Sequence, residues 1–274
     1  MNSHYTKLIY IKLGGSLITD KNSESTVYPT IIKHLAKEIY NFSCANPADN
    51  IIVGHGAGSY GHIQAVRNNL HRCTHSPERW AGVLEVAQAV SQLSRILQQD
   101  LHLAGLHTKL FHPSESAICR DRRLKSLDLT NIKHALDRQQ IPLIHGDICF
   151  DETCGASIIS TESIFAYIST KLQPINIYIA GTEPGVYDSY PNGNIIPAIS
   201  NSSKHTLFTN ITASNSPDIT GGMKSKVDIM LNLIRLYPDI TVHIFSGTDP
   251  GNLTAALNGQ YTKGTILSDN HPHS

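Results

Sequence analysis

The stretch "IIVGHGAGSYGHIQA", residues 51–65, decides the fold. An apolar run stops at a turn in which Gly56, Gly58 and Gly61 satisfy G-x-G-x-x-G, so the first reading is a dinucleotide site. Such a site places an acidic residue about 20 positions further on, at the end of a strand. Here that position falls near Glu78, where a helix begins, and the glycines follow the second strand rather than the first. The dinucleotide reading is set aside. What remains is a turn whose N–H groups can cradle phosphate oxygens, bracketed by two imidazoles, His55 and His62.

On either side of this turn, strand and helix signals alternate. "LIYIKL" (8–13) is a β-rich run ended by Gly14 and Gly15, and "IIKHLAKEIYNF" (31–42) repeats its apolar residues at helical spacing. Residues 77–103 keep an apolar stripe at three- and four-residue intervals, which predicts one long helix with Ser76 as its N-cap. Strands are predicted at 107–111, 141–146, 175–181 and 240–245, with helices at 131–139, 161–172 and 224–237. The alternation implies an α/β fold, a mostly parallel sheet with helices on both faces. A change of composition near Pro174 divides the chain into two lobes, residues 1–173 and 174–274.

Lys plus Arg and Asp plus Glu number 22 each, and the isoelectric point is near 7.3. Neither nucleic acid nor an anionic membrane is therefore the expected partner. No stretch approaches the roughly 18 to 20 apolar residues of a membrane span, and the start lacks a signal peptide's layout, so a soluble cytoplasmic protein is expected. The odd, irregularly spaced set Cys44, Cys73, Cys119, Cys149 and Cys154 is read as reduced thiols. "HRCTH" (71–75) is read as polar surface, because no second ligand pair follows it; no metal ligands are assigned.

In open parallel sheets ligands sit beyond the carboxyl ends of the strands. The chemically conspicuous segments fall there: "KLGGS" with Lys12, Gly14 and Gly15; "GHGAGSYGH" with Gly56, Ala57, Gly58 and His62; "HGD" with His145, Gly146 and Asp147; and "AGTEPG" with Gly181, Thr182 and Gly185. A lysine buried at a strand end is costly unless an anion meets it, which makes phosphate the natural partner of Lys12. "SPDITGGMKSK" presents Asp218, Gly222, Lys224 and Lys226 ahead of a helix, an arrangement suited to phosphate. Lys224 is equally readable as a solvated helix residue, and Asp147 as a plain turn aspartate. No Walker A loop occurs.

Five blocks in order, "KLGGSLITDK", "HGAGSYGH", "PLIHGDICFD", "DITGGMKSK" and "PGNLTAAL…GT", resemble the isopentenyl phosphate kinase branch of the amino acid kinase superfamily. The resemblance covers nearly the whole chain. It implies a three-layer α/β sandwich whose N-terminal lobe binds a phosphate acceptor and whose C-terminal lobe binds ATP, with Mg²⁺ and a homodimer as further expectations. It also implies that His62 hydrogen-bonds the acceptor phosphate, that Lys12 contacts the migrating phosphoryl group, and that Lys21 and Lys226 reach nucleotide phosphates. Gly56, Ala57, Gly58, Gly146, Asp147 and Ser160 fall on the acceptor side, and Gly14, Gly15, Gly181, Thr182, Gly185, Asp218, Gly222 and Lys224 on the nucleotide side.

Two departures stand out. "STES" (160–163) puts Glu162 where the branch has an aspartate that organises the lysines, and Pro184 replaces a frequent acidic residue of the nucleotide loop. The acceptor's hydrocarbon is expected along the long helix, where Trp80, Val83 and Val90 are candidates for a pocket wall, although such side chains are more often core. Fosfomycin, a phosphonate, is the alternative acceptor within the branch. A nucleotide-binding sensor that has lost efficient transfer is the alternative outside it.

Overall fold

The structure is a computed structural model in which residues 7–70, 73, 76–203 and 222–269 are described. Its centre is β1 (Leu8–Leu13), buried at every position, as a parallel strand covered on both faces must be. Beside it lie β2 (Asn50–His55) and β9 (Asn176–Gly181), both parallel to it. The eight-stranded sheet runs β10 (Ala198–Ile199), β12 (Thr265–Leu267), β11 (Thr241–Ser246), β9, β1, β2, β6 (Ile141–His145), β3 (Thr108–Phe111). Among its described strands only β12 against β11 is antiparallel.

Side chains alternate between faces along each strand. Ile9, Ile11 and Leu13 pack with α2 (Pro29–Ala45), α4 (Pro77–Leu103) and α8 (Asn252–Leu257). Leu8 and Tyr10 pack on the other face with α5 (Thr130–Leu136), α6 (Thr161–Ser169) and α7 (Gly222–Leu236). The result is the three-layer sandwich expected from the sequence. The sheet continues across position 174: Ile175 N donates to Leu8 O at 2.9 Å, and β9 is inserted between β1 and β11.

The long helix spans the predicted residues, although the Ser76 side chain makes no capping hydrogen bond. A second sheet was not predicted. It is four-stranded, in the order β5 (Arg123–Leu127), β4 (Ala117–Arg120), β7 (Asp147–Asp151), β8 (Gly155–Ile159). These strands are four or five residues long, and β5 is mostly exposed, so neither an apolar run nor a strict alternation marks it. Asp151 holds the sheet's β7–β8 turn, accepting from the amides of Thr153 and Cys154 and from Ser157 Oγ.

At the carboxyl ends of the large sheet the strands are laced together by glycines. Gly247 N donates to Gly181 O, Gly14 N to Ala180 O, Gly56 N to Leu13 O and Gly146 N to His55 O, at 2.8–3.2 Å. The loops behind them lie main chain against main chain. A Cβ on Gly15 would sit 2.3 Å from Gly58 N, and one on Gly56 would sit 2.7 Å from Gly15 N. Gly58 itself has φ +52°, a left-handed conformation that glycine adopts freely. Two loops, after β1 and after β2, can approach this closely only without side chains.

Gly15→Ala should therefore cost about 2 kcal/mol or more in urea unfolding, because its obstacle is backbone and cannot swing away. Gly181→Ala, whose Cβ would meet nothing nearer than 3.9 Å, should leave stability nearly unchanged.

Candidate active site

Lys12 lies on the α6 face of β1 and is 4% exposed. Its register partner on β2 is Gly54. A Cβ there would lie 2.6 Å from Phe165 Cζ and 2.7 Å from Thr161 Cγ2, so glycine is what lets α6 settle onto the sheet. Thr161 fastens the contact by donating to His55 O at 2.6 Å, and Ser160 caps the helix by accepting from Ser163 N at 3.1 Å. The next residue, Glu162, meets Lys12 in a buried ion pair. Burial pushes the Glu162 carboxyl up, but the charges of Lys12 and Lys226 prevail and hold it below the ordinary glutamate range. One carboxylate thus serves two lysines from different parts of the chain.

The second strand's turn leads into α3 (Gly58–Arg67). Thr19, fully buried, joins the two glycine loops: its Oγ1 donates to Gly15 O at 2.8 Å and accepts from Ser59 N at 2.9 Å. His62 follows one turn into the helix and is half-buried. Behind the turn stand two buried imidazoles at equivalent positions of neighbouring strands, His55 and His145. Each faces the carbonyl of the following glycine, Nδ1 to Gly56 O and Nδ1 to Gly146 O, both at 3.0 Å. His55 Nε2 also meets Ser94 Oγ at 2.9 Å. Burial lowers both imidazoles, and like charge between them adds to the effect on His55, which reaches about 3. Both are neutral braces, orienting the main chain of the turns.

Gly146 is buried against Ile159 O. Asp147 accepts from Ser114 N and Ile148 N, each at 2.9 Å, which anchors the short 3₁₀ turn Pro113–Glu115 to the loop after β6. On the other side of β1 a cavity of about 410 Å³ is lined by Ser16, Asp20, Lys21, Asn22, Tyr28, Thr182 and Thr248 among others. Lys21 and Thr182 therefore share one cleft although 161 positions separate them in the chain. Gly185 turns away from it and is packed against Ile195 and Thr265. At the start of α7, Gly222 has φ +64°, Lys224 is exposed and Lys226 is half-buried. Asp218 lies outside the described residues.

The packing decides several sequence readings. Val83 and Val90 are core, packed with Ala65, Val86, Ile148 and Ala156 between α3, α4 and the smaller sheet, whereas Trp80 is half-buried beside Phe150. Cys73 and Cys154, expected as free thiols, pair as a disulfide. Their separation of 81 residues hides the proximity that the packing of α4 over the β7–β8 hairpin creates. The two histidines of "HRCTH" lie outside the described residues. The supports Thr19, Thr161 and Ser94 were not found in the sequence, because lone hydroxyls without a motif carry no signal there.

A parallel sheet whose glycine-laced rim holds a buried lysine–carboxylate pair beside an open cleft has the layout of a small-molecule kinase scaffold. The model of the amino acid kinase family matches residues 7–246, and the chain belongs to that family. It is similar to the isopentenyl phosphate kinase of Methanocaldococcus jannaschii, 29% identical over 263 residues that cover 92% of this chain and 96% of the other. The enzyme of that name from Haloferax volcanii is 28% identical, covering 95% and 98%. A solved isopentenyl phosphate kinase structure superposes with a TM-score of 0.82 at 25% identity, covering 95% of this chain and all of that one. A UMP kinase from Ureaplasma parvum shares the fold at a TM-score of 0.65 and 17% identity.

Removing the Glu162 charge takes the paired carboxylate away from the buried ammonium of Lys12. Glu162→Gln should lower stability at pH 7 by about 3 kcal/mol or more in urea unfolding. Because the folded carboxyl titrates below the unfolded one, its contribution is complete above the unfolded value and is lost as pH falls. The gap between wild type and variant should accordingly narrow below about pH 4.5; a gap that is constant with pH would show that the charge is not responsible.

Proposed function

We propose that the chain transfers the γ-phosphoryl group of ATP to the phosphate of isopentenyl phosphate, giving isopentenyl diphosphate. The observation that carries this reading is the meeting, on one strand-end rim, of Lys12 held by Glu162, two interlocked glycine loops and the helix bearing His62. The similarity to enzymes of that name along almost the whole chain supports the acceptor.

Transfer between two phosphates concentrates about four negative charges, so positioning and neutralisation dominate. An acceptor phosphate is already ionised near pH 7, and no side chain need act as a base. N–H groups of the loop from Gly56 to Gly58 hold the acceptor, and His62 adds a hydrogen bond to its oxygens. Lys12 neutralises the migrating group at the midpoint. Lys21 approaches the nucleotide's phosphates from the cleft, whose wall also carries Ser16 and Thr182, and Lys226 reaches them from the start of α7. Mg²⁺, entering with the nucleotide, would neutralise its phosphates further.

The acceptor's hydrocarbon lies towards Trp80 and the apolar cluster beneath Ala57. Residues 1–173 carry the acceptor and residues 174–274 most of the nucleotide in this reading. A homodimer and a cytoplasmic location belong to it on the resemblance alone; no helix among the described residues is long and apolar enough to cross a membrane.

The test is ADP release with ATP and Mg²⁺ in the presence of isopentenyl phosphate, dimethylallyl phosphate, fosfomycin or no acceptor. Turnover is expected with the isoprenoid phosphates; turnover with fosfomycin alone would replace the acceptor, and nucleotide binding without turnover would favour a sensor. His62→Ala should reduce acceptor-dependent turnover by about 10²-fold while ATP affinity stays nearly intact. An unchanged rate would remove His62 from its role.

A further inference from the structure

Beneath the loop after β6, three ligand-type side chains converge that the reaction above does not require as a group. The imidazoles of His112 and His145 and the carboxylate of Asp147 have donor atoms lying within 4.8 Å of one another. His145 Nδ1 faces Gly146 O, a pure acceptor, so the proton of the neutral ring sits on Nδ1 and Nε2 carries the lone pair. That lone pair points at His112 Nδ1, 2.9 Å away. A histidine whose far nitrogen is fixed by a backbone carbonyl is how proteins prepare a metal ligand.

Asp147 is 5% exposed, and among the described residues no lysine or arginine forms an ion pair with it. Each of its oxygens accepts one backbone N–H, from Ile148 and from Ser114, which orients the carboxylate and leaves a further lone pair on each oxygen. A buried carboxylate of this kind favours a cation beside it. His112 stands half-buried at the wall of a separate cavity of about 200 Å³, whose lining includes Glu115, Asp128 and Asn131. The ligand set thus borders open space at His112.

We propose that His112, His145 and Asp147 bind a divalent transition-metal ion of the zinc class through two imidazole nitrogens and one carboxylate oxygen, with solvent completing the coordination. Two nitrogens and one oxygen suit zinc better than the oxygen-seeking Mg²⁺ or Ca²⁺. Without metal, the hydrogen bond between the two imidazoles occupies the site. When the ion enters, the proton on His112 Nδ1 leaves to solvent and Nε2 takes one up, so both facing nitrogens carry lone pairs and no net proton is released. The nitrogens then separate from 2.9 Å to about 3.3 Å, the edge of a tetrahedron with zinc–nitrogen bonds of about 2.0 Å. The ion would pin the 3₁₀ turn Pro113–Glu115 to the loop at Gly146, and the proposal stands whether or not the kinase reading does.

The experiment titrates the chelator-stripped full chain with Co²⁺ as a spectroscopic probe, followed by displacement with Zn²⁺. One equivalent should give visible d–d absorption of a low-coordinate nitrogen–oxygen site, lost on adding Zn²⁺. His112→Gln, which keeps a hydrogen-bonding group opposite His145, should weaken cobalt affinity by about 10-fold or more, and exposed His134→Gln should not. In wild type, independently of any variant's folding, Zn²⁺ should protect His112 from carbethoxylation as read by peptide mass spectrometry. Absence of a cobalt spectrum, equal affinity in His112→Gln, or modification of His112 unaffected by saturating Zn²⁺ would each overturn the site.

Discussion

The structure depends on one constraint: at the carboxyl end of the sheet, main chain has to touch main chain. Gly14, Gly56 and Gly146 follow strands β1, β2 and β6, and each passes its N–H back to a carbonyl of a neighbouring strand. The sheet's hydrogen-bonding therefore continues past the last strand residue. With no Cβ between them, the loops after β1 and β2 interlock, and α3 can begin directly where the second loop ends. Helix positions, cavity walls and the height of Lys12 relative to the rim all follow from this closeness.

A buried lysine in the middle of a parallel sheet would be a liability without compensation, and the compensation explains the packing of α6. Gly54 opens the space beside Lys12, Thr161 ties the helix start to β2, and Glu162 then arrives against the ammonium group. Glu162, longer by a methylene than the aspartate the resemblance leads one to expect, meets Lys12 directly and also feels Lys226. The longer side chain thus still forms a buried ion pair.

Much of this was legible from periodicity. The central strands are uninterrupted apolar runs, and the 27-residue helix α4 carries its stripe from end to end, so both announce themselves. The rim was legible too, because glycines after strands have few other reasons to recur. What escaped was what depends on distance in space. The small sheet is built from short strands whose exposed faces look like loop, and the pairing of Cys73 with Cys154 spans 81 residues. Val83 and Val90 read in sequence as core sooner than as pocket, and the packing against Ile148 and Ala156 bears that out. Thr19 and Thr161, which hold the loops and the helix in place, are indistinguishable in sequence from other threonines.

The interlocked rim also shapes how the gene can vary. Groups that recognise an anion through the peptide unit are present whatever side chain is encoded, so ordinary substitutions cannot erase them; they can only obstruct them by adding a carbon. Around Gly15 and Gly56 the smallest such addition already collides with backbone. The most tightly constrained positions of the two loops are thus those with the least chemistry of their own. In the proposed reading, a lineage built on such a rim can exchange acceptors by altering the walls, and it keeps its anion cradle as long as it keeps nothing at those glycines.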